Sequence, residues 1–332
     1  MNKIKLLVGG TPFNRSILFL VALVAFVLMS HLPVGAAKVA INKNVRDKTP
    51  ETLGIPADGV PAHGVKPYKA DRAKMKERAK AVWGKNPVAV KVRGKAAEET
   101  ETDQAVKFKN GSIEFEVSKT TGAEILIDLD RYTKREPPKR DVDEKTLERE
   151  ARQYVKEQMP DVDLNELSFK GVKKIIDSVS KVAKDSTVTE TTTEIANYIL
   201  IFQRKVNKVP VVGPGEQVRV YLSNNGEIIG HSKIWRELDQ APKGKKPVVP
   251  HSKIMQGLEQ KLAKSEAPDV EVDLLEFGYM GQGRYTKQAE LRPVYLVGYK
   301  AGEESKRIIE VYDAYTGEEI APPVDPTGAD AR

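Results

Sequence analysis

Apolar residues return along this chain in two rhythms, a helical one near 3.6 residues and a strand-like one of two, and the rhythms alternate in blocks. The clearest helical block follows Asp143, a suitable N-cap, and carries Leu147, Ala151, Tyr154, Val155 and Met159 on one side until Pro160 closes it. Ala70–Trp83 reads the same way, with Met75, Ala79, Val82 and Trp83 on one face and Lys and Arg elsewhere. A third helix carries Ile254, Met255, Leu258 and Leu262, with Ser252 as its expected cap. Strand-like runs cover Pro87–Arg93, Ala105–Phe108, Leu167–Ile176 and Thr189–Val206, and then Val270–Tyr279, Pro293–Lys300 and Arg307–Asp313. Within Thr189–Val206, Tyr198, Leu200 and Phe202 share one face while Ile199 and Ile201 share the other, which predicts a strand covered on both sides. Glu98–Asp103 reads as an acidic loop, and Asn110-Gly111-Ser112 as a turn.

A strand–turn–strand unit appears three times, at Phe115–Asp128, Val220–Trp235 and Val311–Ala321. Each enters a polar turn ending in Gly122, Gly226 or Gly317, where glycine tolerates the positive φ of a tight hairpin. The order helix, strand, strand, hairpin recurs in the last two thirds of the chain and more loosely in the first. This predicts an α+β fold of repeated modules, each one helix packed on a twisted antiparallel sheet. The divisions that follow are a leader at 1–37, a Pro/Gly-rich linker at 38–69, a degenerate first module at 70–138, a second module at 139–239, a linker at 240–250, a third module at 251–321 and a tail at 322–332. Arg135–Arg140 marks the break between the first two modules.

The leader changes the address of the molecule. Lys3, Lys5 and Arg15 precede the uncharged apolar stretch Ile17–Met29, and small residues follow up to Ala36-Ala37. That is the pattern of an export signal cleaved after Ala36 or Ala37, since thirteen apolar residues fall short of the roughly 20 that a membrane span needs. The expected location is therefore extracytoplasmic, in the cell envelope or secreted, with a membrane anchor through residues 17–29 as the alternative if cleavage fails. Without the three leader cations the +7 formal charge falls to +4. Charges of both signs are interspersed, and aromatics do not interleave with the basic runs, so no nucleic-acid groove is expected. Lys243–Lys246 reads as a short basic cluster that keeps the second linker open. Cysteine is absent, which excludes thiol chemistry, Cys-based metal sites and disulfide support.

Catalytic patterns are sparse. Of four histidines, His31 lies in the leader, and His63, His231 and His251 have no partner at metal-ligand spacing. No His-Glu-x-x-His, Gly-x-Ser-x-Gly or phosphate-cradling Gly loop occurs. Gly278–Gly283 reads as a mobile loop or bulge, Asp128 and Asp130 as solvated carboxylates at a strand end, and Thr187–Thr193 as a β-edge. No metal, cofactor or catalytic residue is expected. Trp235 either seals a core or anchors an interface, beside Arg236.

The run Tyr198–Trp235 resembles the PepSY-type modules and the fungalysin/thermolysin propeptide modules. Phe202 and Arg204 end a strand, Pro210, Val211 and Gly213 form the Pro-Val-x-Gly lead-in, and Gly226 closes an Asn-Gly turn. Asp313-Ala314-Tyr315-Thr316-Gly317-Glu318 resembles the second hallmark of these modules, and Thr120–Glu124 is a fainter copy. One departure is that Lys208 and Val209 stand where such modules often have Gly. The resemblance covers residues 143–321. It implies the PepSY or cystatin-like form of the architecture above, and a non-catalytic protein that binds another envelope or secreted protein, inhibiting or chaperoning an exported peptidase. Arg204, Trp235 and Arg236 are the candidate binding residues. Phe202, Pro210, Val211, Gly213, Gly226 and Gly317 are structural. A membrane-tethered sensor or scaffold and an unrecognised enzyme are the alternatives.

Overall fold

Strands dominate the computed structural model, which describes residues 38–92, 96–133, 142–182, 188–264, 269–302 and 306–323. The leader, the break at Arg135–Arg140 and the tail from residue 324 lie outside them. The strands run β1 (Val39–Ile41), β2 (His63–Gly64), β3 (Glu98–Glu101), β4 (Ala105–Asn110), β5 (Ile113–Ser118), β6 (Glu124–Asp128), β7 (Leu167–Val182) and β8 (Val188–Val206). They continue as β9 (Val209–Val212), β10 (Gln217–Ser223), β11 (Ile228–Ile234), β12 (Val270–Met280), β13 (Glu290–Leu291), β14 (Pro293–Ala301), β15 (Ile308–Asp313) and β16 (Glu319–Ile320). Helices are α1 (Lys43–Arg46), α2 (Arg72–Lys85), α3 (Leu129–Thr133), α4 (Glu144–Gln158) and α5 (His251–Ala263).

The expectation of repeated helix-on-sheet modules, each with its own antiparallel sheet, is overturned. Among the described residues, fourteen strands join one mixed sheet in the order β16-β15-β14-β12-β9-β8-β10-β11-β6-β5-β4-β3, with β1 beside β12 and β7 beside β8. Two ladders carry the sheet across the expected boundaries. β11 pairs with β6, placing His231 opposite Leu126, and β9 runs parallel to β12, placing Val211 opposite Tyr279. Periodicity within a segment reports which face is buried, but carries no information about which edge will find which neighbour.

Each of the three longer helices covers a cluster of the core, and a fourth, smaller cluster gathers Val212, Met280, Val294, Leu296 and Val311. α2 buries Met75, Ala79, Val82 and Trp83 against Phe108, Ile113, Phe115 and Leu126. α4 buries Leu147, Ala151, Tyr154 and Val155 against Leu200, Phe202, Val218 and Val220. α5 buries Ile254, Met255, Leu258 and Leu262 against Val272, Phe277, Tyr295 and Val297. Asp71 and Asp143 cap α2 and α4 by accepting backbone N–H bonds, whereas Pro250 rather than Ser252 stands at the N-cap of α5. Pro87–Val92 is a 3-10 turn, not a strand, because the Asn86 side chain accepts from the Val88 N–H and rounds the chain off α2. Glu98–Glu101 is a short edge strand rather than a loop.

Neither stretch expected to be a linker hangs free. β1 pairs parallel to β12, and Val45, Leu53, Val60 and Val65 are buried in the α5 core. The two stretches also bond each other, Val60 with Lys246 through both backbone N–H groups and Ala62 with the Lys243 N–H. Lys243 and Lys245 form ion pairs with Glu290 and Asp58, and Lys246 lies over the Tyr315 ring, so the basic cluster closes the connector instead of holding it open. Irregular spacing of the apolar residues between prolines hid this packing from any periodic reading.

Candidate functional site

β8 and β10 bring Arg204 and Glu216 together at the seam between the α4 and α5 cores. Glu216 has no exposed surface and a φ of +51°, an unusual backbone for a residue with a side chain. Its carboxylate accepts from Arg204 Nη1 at 3.0 Å, from Arg236 Nη1 at 2.8 Å and from the Arg236 backbone N–H at 3.0 Å. Arg204 also donates to Glu166 at 2.6 Å and to the Arg236 carbonyl at 2.7 Å, and its guanidinium lies 4.6 Å from the centre of the half-buried Trp235 ring. Arg236 Nη2 donates to the carbonyls of Gln282, Gly283 and Thr286. The three residues expected to bind a partner are thus brought together, but turned inward. Arg204 and Arg236 are spent on Glu216, and Trp235 packs against the α4 core. The Gly278–Gly283 segment, expected to be a mobile loop or bulge, runs in β12 as far as Met280, and the Arg236 bonds hold Gln282 and Gly283 beyond it.

A second buried network lies where β6, β11, α2 and α4 meet. Arg78 makes a two-pronged pair with Glu124, both contacts at 2.9 Å, and Lys233 bridges Glu124 at 3.5 Å and Asp161 at 2.7 Å. Burial works against the Glu124 charge, but Lys233 and Arg78 outweigh it and hold the pKa down at about 2. Beside them the Asn86 amide donates to the Tyr154 hydroxyl at 2.9 Å, and that hydroxyl meets His231 Nδ1 at 2.7 Å. The hydroxyl carries one proton, which can go to Nδ1 or to Asn86 Oδ1 at 3.3 Å, so the contact fits either imidazole tautomer. Complete burial lowers the His231 pKa to about 3, so the ring is neutral, and burial raises that of Tyr154. Glu124, His231 and Tyr154 each keep one protonation state near neutral pH, which suits structure better than proton transfer there.

Tyr154 is also where the network reaches an open cleft of about 1360 Å³ along α4. Pro87, Leu164 and Ile228 give it apolar walls, and the exposed side of α4 gives it charge. Lys145, Arg149, Arg152 and Lys156 fall on one row of the helix at i, i+4, i+7 and i+11, opposite the buried row. Arg152 is paired with Glu148, and Arg131 from α3 with Glu227. Lys145, Arg149 and Lys156 make no ion pair among the described residues. Sequence reading missed this row because the helix was inspected for its apolar side; the four cations were legible at the same spacing.

Asp128 is not solvated. It is fully buried, accepts from the Ser112 hydroxyl at 2.9 Å and from the Arg131 N–H at 3.2 Å, and so caps α3, while Asp130 is exposed. Neither Asp128 nor His231 lines the cleft. Among the described residues no group of three His, Asp or Glu side chains is placed to hold a metal ion, and no helix is long and apolar enough to cross a membrane.

No family model matches the sequence, and no curated protein does. Solved structures do match. An uncharacterized protein from Eubacterium rectale aligns over 85% of this chain and 89% of its own, with a TM-score of 0.54 at 14% identity. At that identity it shows a shared fold and nothing more. The C-terminal domain of YpeB from Bacillus megaterium aligns over 76% of this chain and 96% of its own, with a TM-score of 0.36 at 12% identity.

Proposed function

We propose that this chain is an exported, non-catalytic protein that holds another envelope or secreted protein through the cleft along α4. The observation that carries the reading is the row Lys145, Arg149 and Lys156, three cations without an ion pair among the described residues, set in a concave surface with apolar walls. The buried Arg78–Glu124 and Arg204–Glu216–Arg236 pairs are turned to each other, whereas the cleft presents Lys145, Arg149 and Lys156 beside Glu150 and Glu157. Such a row favours a partner surface with acidic groups among apolar ones and makes association sensitive to salt. The resemblance of Tyr198–Trp235 and Asp313–Glu318 to PepSY-type modules supports an exported peptidase as the partner class, held inactive or helped to fold.

Capture from an envelope extract tests this. The unaltered chain is expected to retain a stoichiometric partner at low salt and release it near 0.5 M salt. The triple reversal Lys145→Glu, Arg149→Glu and Lys156→Glu is expected to retain at least tenfold less. Equal capture by both forms, or no partner from either, would sink the proposal. Sequencing the N-terminus of the protein from cells separates a released form, starting at Ala37 or Lys38, from a tethered one that keeps residues 17–29.

A further inference from the structure

The hairpin of β7 and β8 outruns the sheet that supports it. β10 follows β8 only as far as Asn197, which pairs with Ser223, whereas β7 stays paired with β8 from Leu167 to Val182. Beyond Ile176 and Ile195 the two strands form a ribbon with no third strand on either side among the described residues. The outer edge of β7 receives no backbone hydrogen bond from any other described segment between Gly171 and Val182. Ile176, at 58% exposure, is the most exposed large apolar side chain among the described residues. An open edge with an exposed isoleucine is a template for strand addition, and a two-stranded ribbon is marginal without a neighbour.

The sequence of this edge says what fits it. Two copies of one strand can pair antiparallel about a twofold axis only when the axis passes through a residue, because partners must share a face and an edge direction. From Gly171 to Val182 the ladder irregularities fall in β8, at Ala196 and Thr189, so β7 keeps a regular alternation through Lys173, Lys174, Ile175, Ile176 and Asp177. An axis through Lys174 sets that lysine against itself, and one through Asp177 sets two carboxylates face to face. An axis through Ile176 puts Ile175 opposite Asp177. An axis through Ile175 puts Ile175 against Ile175, Lys173 against Asp177 twice, and the Lys174 stem over Ile176. Cross-strand pairs of opposite charge and of apolar residues are the ones that stabilise. Lys173 and Asp177 already have contacts within the chain, and this register adds a second partner to each.

We propose that the chain forms a symmetric dimer by edge-to-edge pairing of β7, centred on Ile175, so that two sheets become one. The surface is separate from the α4 cleft and does not depend on the role proposed for it. Since the chain has no cysteine, a single introduced thiol reports the register cleanly. In the full chain, Ile175→Cys is expected to couple to its own copy with a short bis-maleimide reagent. Ser178→Cys, whose partner would be Val172, is expected to couple at least fivefold less. In sedimentation equilibrium, Lys173→Asp alone and Asp177→Lys alone are each expected to weaken the dimer tenfold or more, and the two together to restore it. A monomer at 100 µM overturns the proposal, and so does a dimer that neither single reversal weakens or whose coupling is the same from positions 175 and 178.

Discussion

Glu216 shows how much one side chain can hold. It neutralises two buried guanidiniums from a strained backbone position, and through Arg236 it fixes the Gln282–Thr286 turn of the neighbouring core. Glu216→Gln keeps the shape and removes the charge, which leaves the buried Arg236 without a carboxylate and Arg204 with Glu166 alone. The expected loss is about 3–5 kcal/mol in urea unfolding, the usual cost of orphaning a buried charge. His231 makes a different prediction. Its folded pKa of about 3 lies below the ordinary value of 6.5, so between those values the unfolded chain binds a proton that the folded one refuses. Stability therefore falls as pH drops from 6.5 toward 3. Glu124, with a folded pKa of about 2, adds to the fall below pH 4.5, because the unfolded chain takes up a proton there that the paired carboxylate refuses. His231→Leu is expected to flatten the pH dependence between 6 and 4 by up to one proton, about 1.4 kcal/mol per pH unit. Chemical denaturation at several pH values checks it, and an unchanged slope would count against a neutral buried imidazole.

At the scale of elements, the tight turn between β8 and β9 is built from Asn207 and Lys208, at φ of +52° and +71°. Both values belong to the type I′ hairpin, which favours Asn-Gly. Lysine there strains the backbone by about 1–2 kcal/mol, partly offset because glycine loses more freedom on folding. Lys208→Gly is expected to raise stability by about 0.5–1 kcal/mol, read as a shift in the urea midpoint. Gly278 is the opposite case, since a Cβ there would stand 2.5 Å from the Pro210 carbonyl oxygen and 2.7 Å from Val212. Gly278→Ala should force β9 off β12 and cost about 1–3 kcal/mol. These two positions also show what could be read beforehand. The helices around Tyr154 and Leu258 were legible because a single buried face writes its period into the sequence. The turns at Gly122, Gly226 and Gly317, at φ of +71°, +77° and +79°, were legible because so few residues accept such a backbone. The parallel contact of β9 with β12 was not, because two residues of pairing leave no periodic trace. The inward turn of Arg204 and Arg236 was equally hidden, since their partner Glu216 is recognisable only once β8 and β10 are side by side.

At the scale of the whole molecule, residues 38–66 act as a strap across the α5 core and not as a spacer. Val45, Leu53, Val60 and Val65 are all less than a tenth exposed, and each contributes about 1.5–3 kcal/mol by its burial. Their sum is comparable with the roughly 5–15 kcal/mol that holds a typical domain together. A chain beginning at Ala70 is expected to bind apolar dyes and to be cut by protease within the α5 core, while the longer chain resists. The same strap has a bearing on how the molecule is made. Lys38 and Asp269 are bonded across 231 positions of sequence, and β1 lies in register with β12 immediately beyond them. Contacts of such long range are entropically expensive to close and slow to form. β1 therefore waits for its β12 partner until residue 272 has been made. Until then Val45, Leu53, Val60 and Val65 have no α5 core to pack on, and any factor that escorts the unfinished chain has a defined apolar segment and a defined interval in which to bind.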